Sequence, residues 1–352
     1  MRRLHHAGRQ LADAFTTHAD VDPLTHALSG AMLARALPKK PLAKTQIALL
    51  VLLTMIPDAD FVLKIISDTT YLEYHRGITH SLLILPLWTW LFYALLSKTQ
   101  ASIPAWLIGA AIALHIGLDL ITSFGTMILA PFSDWRAALD LVFIIDPLFT
   151  ACLLLPLLGA AVFRRQARVF GLCALFLMLG YLALSTWTHQ RAMLVVRHAH
   201  PHAISHAALP LPFSPFHWQL IASYPDHYVR AGINLLPSFP GSAIFFSAAF
   251  VKTYMPPLNE EKQLRWQTLP AMRAVQHIEG LPGVAFYLWF ARFPVLLAHD
   301  DKHLEFGDLR FGAGIENTES PFRLRIEMKD IETGQSPRAW LIWSADRRSP
   351  LP

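Results

Sequence analysis

The chain has 352 residues, of which 53% are hydrophobic and only 16% are charged, and its formal net charge is +5. Soluble domains carry about 25% charged residues, so this composition excludes an ordinary soluble protein along the whole chain. Many of the basic residues lie between apolar runs, where membrane topology accounts for them. We therefore expect a lipid bilayer as partner and no nucleic acid.

The two cysteines exclude two further classes of protein. Cys152 and Cys173 both lie inside apolar runs. They cannot provide a disulfide framework or a cysteine-based zinc site.

Hydropathy divides the chain into four parts. The apolar runs are confined to about the first 190 residues, and the composition is that of a soluble domain from about residue 195. We predict a flexible leader over 1–20, a transmembrane domain over 21–190, a linker over 191–215 and a soluble domain over 216–352. The leader lacks the apolar core of a cleavable signal peptide.

The first apolar segment, Leu24–Leu37, is short for a membrane span. Its length of about 14 residues is insufficient to cross roughly 30 Å of hydrocarbon. Asp22 is a suitable N-cap and Pro23 suits the first helical turn. The pattern predicts a re-entrant helix with His26 in its first turn.

Five longer apolar runs follow, and each has enough residues to cross a bilayer. They are Thr45–Ile66, Ile78–Ser97, Ile103–Ser123, Leu141–Phe163 and Val169–Trp187. Together with the re-entrant helix they predict an α-helical polytopic membrane domain.

Basic residues in alternate connections predict the orientation of these spans. Connections rich in lysine and arginine face the cytoplasm. The predicted cytoplasmic residues are Lys39, Lys40, Lys44, Lys98, Arg164, Arg165 and Arg168. The opposite connections contain fewer basic residues, chiefly Lys64, Arg76 and Arg136.

On this topology, three pairs of polar residues meet at the non-cytoplasmic edge of the membrane. Asp58 and Asp60 end an outward span, His75 and His80 begin an inward one, and His115 and Asp119 end the next outward span. His26 reaches the same edge if its helix is re-entrant. The sequence therefore predicts one polar site at this edge.

The residue types at this site are those of a metal centre. His115 and Asp119 are four apart and share one helix face, so both can bind one ion. Histidine and aspartate without cysteine suit one or two divalent ions, with zinc expected and manganese, iron or nickel as alternatives. The predicted ligands are His26, Asp58, His75, His80, His115 and Asp119.

Catalytic and orienting roles fall on neighbouring residues. Asp58 and Asp60 are predicted as ligands or general base, and Arg76 as the clamp for a substrate phosphate or carboxylate. Thr79 and Ser81 are expected to orient the ligands. The structural alternatives are that each histidine is an interfacial hydrogen-bonding group and that the aspartates cap helices. We expect Asp146 to cap a helix and Asp140 to lie at the membrane interface. The histidines near residues 189–206 are expected to be solvated.

The last part of the chain is expected to be mainly antiparallel β or α+β, on the non-cytoplasmic side. Alternating apolar residues and turn signals predict its strands. These are His217–Ser223, His227–Ile233, Val284–Leu297, His303–Phe311, Phe322–Lys329 and Trp340–Trp343, with a helix predicted within Leu258–Ile278.

Four sequence motifs contain the polar residues of the predicted site. They are Asp22-Pro23-Leu24-Thr25-His26, Pro57-Asp58-Ala59-Asp60, His75-Arg76-Gly77-Ile78-Thr79-His80-Ser81 and His115-Ile116-Gly117-Leu118-Asp119. In order and spacing they resemble the motifs of a bacterial family, the YdjM-like, LexA-regulated, membrane-bound metal-dependent hydrolases. Asp140 and Ile145-Asp146-Pro147 also resemble a family element. The resemblance covers about residues 20–190 and implies a metal-dependent hydrolase of the inner membrane, without implying its substrate.

We therefore predict a multi-pass hydrolase of the bacterial inner membrane. Metal-activated water would attack an amphiphile at the membrane edge, such as a lipid or lipid-linked phosphoester, with an ester or amide as second choice. The alternative is a metal transporter or sensor with the same ligands, although the absence of repeated halves disfavours transport. A third possibility is a scaffold whose C-terminal sheet binds a partner.

Overall fold

The computed structural model describes residues 22–99, 101–236, 258–275, 278, 280–300, 302–312, 320–328, 337–344 and 347–351. It forms two compact units, one over residues 20–187 and one from residue 188 onward. The predicted leader over residues 1–20 lies outside the described residues.

The first unit is helical, as expected. Its α-helices are α1 (Pro23–Ala36), α2 (Lys44–Leu53), α3 (Asp68–Tyr74), α4 (Leu85–Ser97), α5 (Ala105–Leu120), α6 (Pro147–Val162) and α7 (Ala167–Ala199), the last of which continues into the second unit. Two 3-10 helices, Ile56–Ile65 and Ile78–His80, lie between α2 and α4.

One helix in the described part of the chain, Arg164–Ala199, is by itself long and apolar enough to cross a membrane. Two bent pairs have the required length if each is counted as one span. These are α2 with the 3-10 helix after it, bent by 54°, and Asp68–His80 with α4, bent by 76°. Helices α5 and α6 are apolar but shorter. The five spans therefore remain a prediction.

Helix α1 begins as its sequence predicts. The Thr25 backbone N–H donates to the Asp22 carboxylate over 3.1 Å, and Pro23 occupies the first turn. Gly30 lets α1 approach α2, because a Cβ at that position would lie 2.9 Å from the Leu50 carbonyl oxygen and 2.5 Å from the Thr54 hydroxyl. The middle of α1 thereby lies close against the end of α2.

Two of the predicted spans are interrupted where their polar residues lie. The run Thr45–Ile66 breaks after Leu53, and the run Ile78–Ser97 is α-helical only from Leu85. The residues before Leu85 instead form a turn that contains His80, and the Leu82 backbone N–H donates to the Ile128 carbonyl. Apolar content predicted continuous helices here, whereas the polar side chains draw the backbone into turns.

The second unit contains two five-stranded sheets, so a mainly antiparallel β domain is confirmed. The first sheet comprises β1 (Ser205–Pro210), β2 (His217–Ser223), β3 (His227–Asn234), β4 (Leu258–Asn259) and β5 (Gln267–Pro270). The second comprises β6 (Pro294–His299), β7 (His303–Asp308), β8 (Arg323–Glu327), β9 (Arg338–Ser344) and β10 (Arg347–Leu351). The strand order is β1-β2-β3-β4 in the first sheet, where β5 also pairs with β3, and β10-β9-β8-β7-β6 in the second sheet. Among these pairings, only β3 with β4 is parallel.

The structure differs from the sequence-based expectation at the start of this unit. Residues 191–215, predicted as a linker, contain the end of α7 and strand β1. Helix α7 continues because Ala192 and Val196 are buried and belong to the same apolar cluster as Trp218.

Two further segments of this unit were assigned the wrong secondary structure. Val284–Phe290 is helix α8 instead of a strand, because Val284, Tyr287 and Phe290 are buried at helical spacing. Conversely, Leu258–Ile278 contains β4 and β5 with 3-10 turns instead of an α-helix.

Candidate metal centre

Four buried side chains bring ligand atoms together in the first unit. Asp58, His80, His115 and Asp119 each offer one such atom, and these atoms all lie within 4.8 Å of one another. The Nε2 atom of His80 lies 2.9 Å from Asp119 Oδ2 and 3.4 Å from Asp58 Oδ1. The Nε2 atom of His115 lies 3.4 Å from Asp119 Oδ2 and 3.5 Å from Asp58 Oδ1. Three separate segments thus supply one cluster.

A second group lies beside the first and shares one of its carboxylates. Asp58, Asp60 and His75 also bring ligand atoms within 4.8 Å of one another. His75 Nδ1 lies 2.9 Å from Asp60 Oδ1. A carboxylate common to two groups is the arrangement that a two-metal site requires.

His26 lies at the edge of the four-residue cluster. Its ring stacks on that of His115 with centroids 3.9 Å apart, and its Nε2 lies 3.4 Å from Asp119 Oδ1. The structure therefore brings all six predicted ligands together, with His26 outside the two groups whose ligand atoms are closest.

Hydrogen bonds define which nitrogen of His80 faces the cluster. The Thr79 hydroxyl donates to Asp60 Oδ2 over 3.1 Å and lies 2.9 Å from His80 Nδ1. Because its proton is directed to Asp60, this hydroxyl accepts from His80 Nδ1–H. The Nε2 atom of a neutral His80 then carries a lone pair directed into the cluster.

The same reasoning applies to His115. Its Nδ1 lies 2.7 Å from the Thr54 carbonyl oxygen, which can only accept, so Nδ1 carries the proton. The Nε2 atoms of His80 and His115 are 3.0 Å apart. Two lone pairs at this distance repel each other unless a cation or a proton lies between them.

This donor set fits a divalent cation. Ligand bonds of about 2.1 Å separate neighbouring ligand atoms by roughly 3.4 Å in a tetrahedral site and roughly 3.0 Å in an octahedral site. The separations of 2.9–3.5 Å between the ligand atoms of the cluster match both geometries. Asp119 Oδ2 is buried and faces the Nε2 atoms of His80 and His115, as expected of an oxygen that shares a metal with them.

Arg76 is buried against this cluster and binds one of its carboxylates. Its Nη2 lies 3.0 Å from Asp119 Oδ1, and its Nη1 donates to the Thr122 hydroxyl over 3.1 Å. Its φ of 58° is left-handed, a conformation that is costly for a side chain bearing Cβ. Backbone hydrogen bonds to Asp60 and from Met127 hold it there. The predicted substrate clamp thus also holds Asp119.

Comparison with known proteins identifies this region. Residues 21–192 match the model of the YdjM inner membrane protein family. This region belongs to the YdjM family. We refer to residues 21–192 as the YdjM region. The predicted resemblance to the YdjM family is confirmed for it, whereas LexA regulation and hydrolase activity stay predictions.

One curated relative covers part of the chain. "Uncharacterized protein YfhP" of Bacillus subtilis (strain 168) is 36% identical over 100 residues, which are 26% of this chain and 29% of YfhP. The match thus spans less than a third of that relative. No solved structure matches the chain significantly.

Other polar residues of the YdjM region have structural contacts. Asp146 caps α6 by accepting from the Leu148 and Phe149 backbone N–H groups, as predicted, and it also accepts from the Tyr181 hydroxyl. Ser81 donates to the Ala130 carbonyl and holds a loop, so its contact differs from the expected contact with a ligand. Asp140 is buried and has a left-handed φ of 54°.

Sequence reasoning missed several residues that support the centre. The Thr54 carbonyl fixes the tautomer of His115, and the Thr122 hydroxyl binds Arg76. The Tyr71 ring stacks on His75 with centroids 4.5 Å apart. Tyr71 precedes His75 by one helical turn, so its position was a usable signal, whereas a backbone carbonyl carries none.

An apolar cavity of about 330 Å³ adjoins the centre. Asp60 and Thr79 line it at the polar end, together with apolar side chains that include Val62, Trp88 and Phe92. Ligand pockets typically combine apolar walls with a few convergent polar groups. This cavity can therefore accept a hydrocarbon group next to the polar site.

The hydrogen bonds of Thr79 give a testable prediction. We expect Thr79→Val to weaken divalent-metal binding about 10- to 100-fold, because the orientation and tautomer of His80 lose their support. Thr79→Ser retains the hydroxyl and should keep an affinity near that of the unmodified protein. Competition titration with a chromophoric chelator measures both. Equal metal affinities of the Val and Ser variants would contradict the proposed role of the Thr79 hydroxyl, which links Asp60 to His80 by hydrogen bonds.

Proposed function

We propose that the chain is an integral inner-membrane, metal-dependent hydrolase that acts on an amphiphilic substrate. The observation that carries this proposal is the buried set of histidine nitrogens and carboxylate oxygens whose lone pairs face one another. Membership of an inner-membrane family and at least one apolar helix of spanning length support the membrane location.

The residues divide into ligands and supporting groups. His80, His115, Asp119 and Asp58 would hold one ion, and His75 and Asp60 would complete a second site with Asp58. Such ions would supply Lewis-acid activation of water. Zinc is the first metal to test, followed by manganese, iron and nickel. His26 and Arg76 hold Asp119 in position through its Oδ1 atom.

The environment of the carboxylates distinguishes their roles. Asp60 accepts from Thr79 and from the Arg76 backbone N–H, and its other oxygen faces His75. Both of its oxygens are thus engaged. The Asp58 side chain is 12% exposed, against 4% for Asp60 and 2% for Asp119. We therefore assign Asp58, the carboxylate shared by the two groups, as the one nearest to the attacking water, and Asp60 as an orienting group.

The charges of the protein support one orientation in the membrane. The basic residues around Arg164 precede α7, whose 33 residues extend about 50 Å. If the basic end of α7 lies in the cytoplasm, a single crossing by α7 would put the C-terminal β domain on the non-cytoplasmic side of the membrane. The metal centre is proposed on that side as well. We propose this multi-pass topology for the chain.

A panel of substrates tests the proposed chemistry. Purified protein should release product from a lipid or lipid-linked phosphoester, with esters and amides assayed in parallel, and a chelator should abolish turnover. Readdition of one metal should restore it. Bound metal without turnover on any substrate, combined with His115-dependent metal uptake into proteoliposomes, would favour a transporter instead.

The apolar cavity predicts where the hydrocarbon part of the substrate binds. Ala59 lines this cavity and is exposed. A tryptophan at this position therefore has room to be accommodated, and Ala59→Trp should fill the cavity. We expect about tenfold lower kcat/KM for long-chain substrates, since several methylene contacts are lost, and little change for short-chain analogues. The matched control is Phe61→Trp, because Phe61 is exposed on the same 3-10 helix outside the cavity. Equal losses for both chain lengths would contradict this binding mode.

A further inference from the structure

A second, strongly basic cavity lies in the YdjM region. Its volume is about 580 Å³, and its lining among the described residues contains no aspartate or glutamate. Four of its cations come from the end of α1, the connection after it and the start of α2, and three come from the connection between α6 and α7 and the start of α7. They are Arg35, Lys39, Lys40 and Lys44, with Arg164, Arg165 and Arg168.

Close helix packing forms the wall of this cavity. A Cβ at Gly171 would lie 2.8 Å from Arg35 Cβ and 2.9 Å from the Ala36 backbone nitrogen, so glycine lets α7 contact the end of α1. The Arg35 guanidinium donates to the Ala31 carbonyl over 3.0 Å and is thereby held in place. Leu42, Ile47 and Ala160 give the cavity apolar walls.

The cations of this cavity have no carboxylate partner among the residues that the structure describes. In the part of the chain that the structure describes, none of them forms an ion pair within 4.0 Å. Like charges gathered around one concavity repel each other, and an anion bound between them removes that repulsion. The positive-inside rule accounts for basic residues on this side, but it does not require them to enclose an apolar-walled cavity.

This cavity is distinct from the metal centre. His26 lies in the first turn of α1 and Arg35 in its last turn. A helix of 14 residues is about 21 Å long. Similarly, Lys44 begins α2, whereas Thr54, whose carbonyl contacts His115, follows the end of that helix. The two sites therefore occupy opposite ends of the same helices.

We propose that this cavity binds the phosphate head group of an anionic glycerophospholipid from the cytoplasmic leaflet. Guanidinium and ammonium groups pair with phosphate oxygens through charge-assisted hydrogen bonds. The apolar walls accept the first part of the acyl chains, which a free phosphate ion would leave in contact with water. Basic pockets between membrane helices on the cytoplasmic side are suited to such head groups.

Short-chain lipids test this proposal on the full-length protein in a non-ionic detergent. Dioctanoylphosphatidylglycerol should bind and raise the melting temperature, and dioctanoylphosphatidylcholine should bind more weakly. Lys39→Gln should weaken binding of the anionic lipid about fivefold, which corresponds to one lysine near a phosphate. The triple variant Lys39→Gln/Arg164→Gln/Arg168→Gln should weaken it about a hundredfold.

The matched control is Lys98→Gln. Lys98 is exposed, carries the same charge and lies on the same predicted side, but outside the cavity. Its loss should leave lipid binding unchanged, and the metal content of every variant should equal that of the unmodified protein. Equal weakening by Lys39→Gln and Lys98→Gln would overturn the proposal, as would equally tight binding of glycerol phosphate. If the triple variant does not fold, the two single variants decide the question.

Discussion

Replacing His80 with alanine is expected to weaken divalent-metal binding by more than a hundredfold. His80 Nε2 lies within 3.4 Å of Asp58, His115 and Asp119, so it is the most central donor of the cluster. Loss of a group that merely orients a ligand already costs about 10- to 100-fold in affinity, and loss of the ligand itself costs more. Elemental analysis after dialysis and a chelator competition titration measure the change.

A histidine outside the cluster provides the control for this experiment. His198 is exposed on α7, and its ring contacts only a carbonyl of its own helix among the contacts described, namely that of Leu194. His198→Ala should keep the full metal content and the activity on whichever substrate is found. If His80→Ala retains bound metal, or if the unmodified protein binds none, the proposed centre is wrong.

The part of the site that lies on one helix could be predicted from sequence. The spacing of His115 and Asp119 alone places both on one face of α5, because helical periodicity is a local property of the chain. Asp22 and Pro23 likewise identified the start of α1. Convergence of the separate segments was predicted from a proposed topology, in which alternate ends of successive helices meet at one membrane edge.

The remainder depends on contacts between distant residues. No local sequence pattern shows that Gly30 allows α2 to approach α1 closely. Nor does one show that α2 ends near Thr54, whose carbonyl accepts a hydrogen bond from His115. Apolar content predicted uninterrupted spans through the same residues, whereas the structure bends both. Hydrophobicity therefore located the membrane region, and the polar contacts determined where its helices break.

The ion pair of Arg76 and Asp119 gives the second large prediction. Both side chains are 2% exposed, and their closest atoms are 3.0 Å apart. Asp119→Leu would leave the guanidinium buried without a carboxylate partner. We expect it to lower the free energy of unfolding by about 3–5 kcal/mol. Denaturant unfolding in detergent with excess chelator measures this, so that lost metal binding does not contribute.

A double variant distinguishes the effect of an unpaired buried charge from a general loss of stability. Arg76→Met/Asp119→Leu removes both charges, so most of the lost stability should return, while metal binding should stay weak because Asp119 is absent. An exposed pair serves as the control. Arg348 and Glu327 are 3.3 Å apart and about half exposed, so Glu327→Gln should cost less than about 1 kcal/mol. An Asp119→Leu variant no less stable than Glu327→Gln would show that Arg76 does not depend on Asp119, and Arg76 would then be available as a substrate clamp.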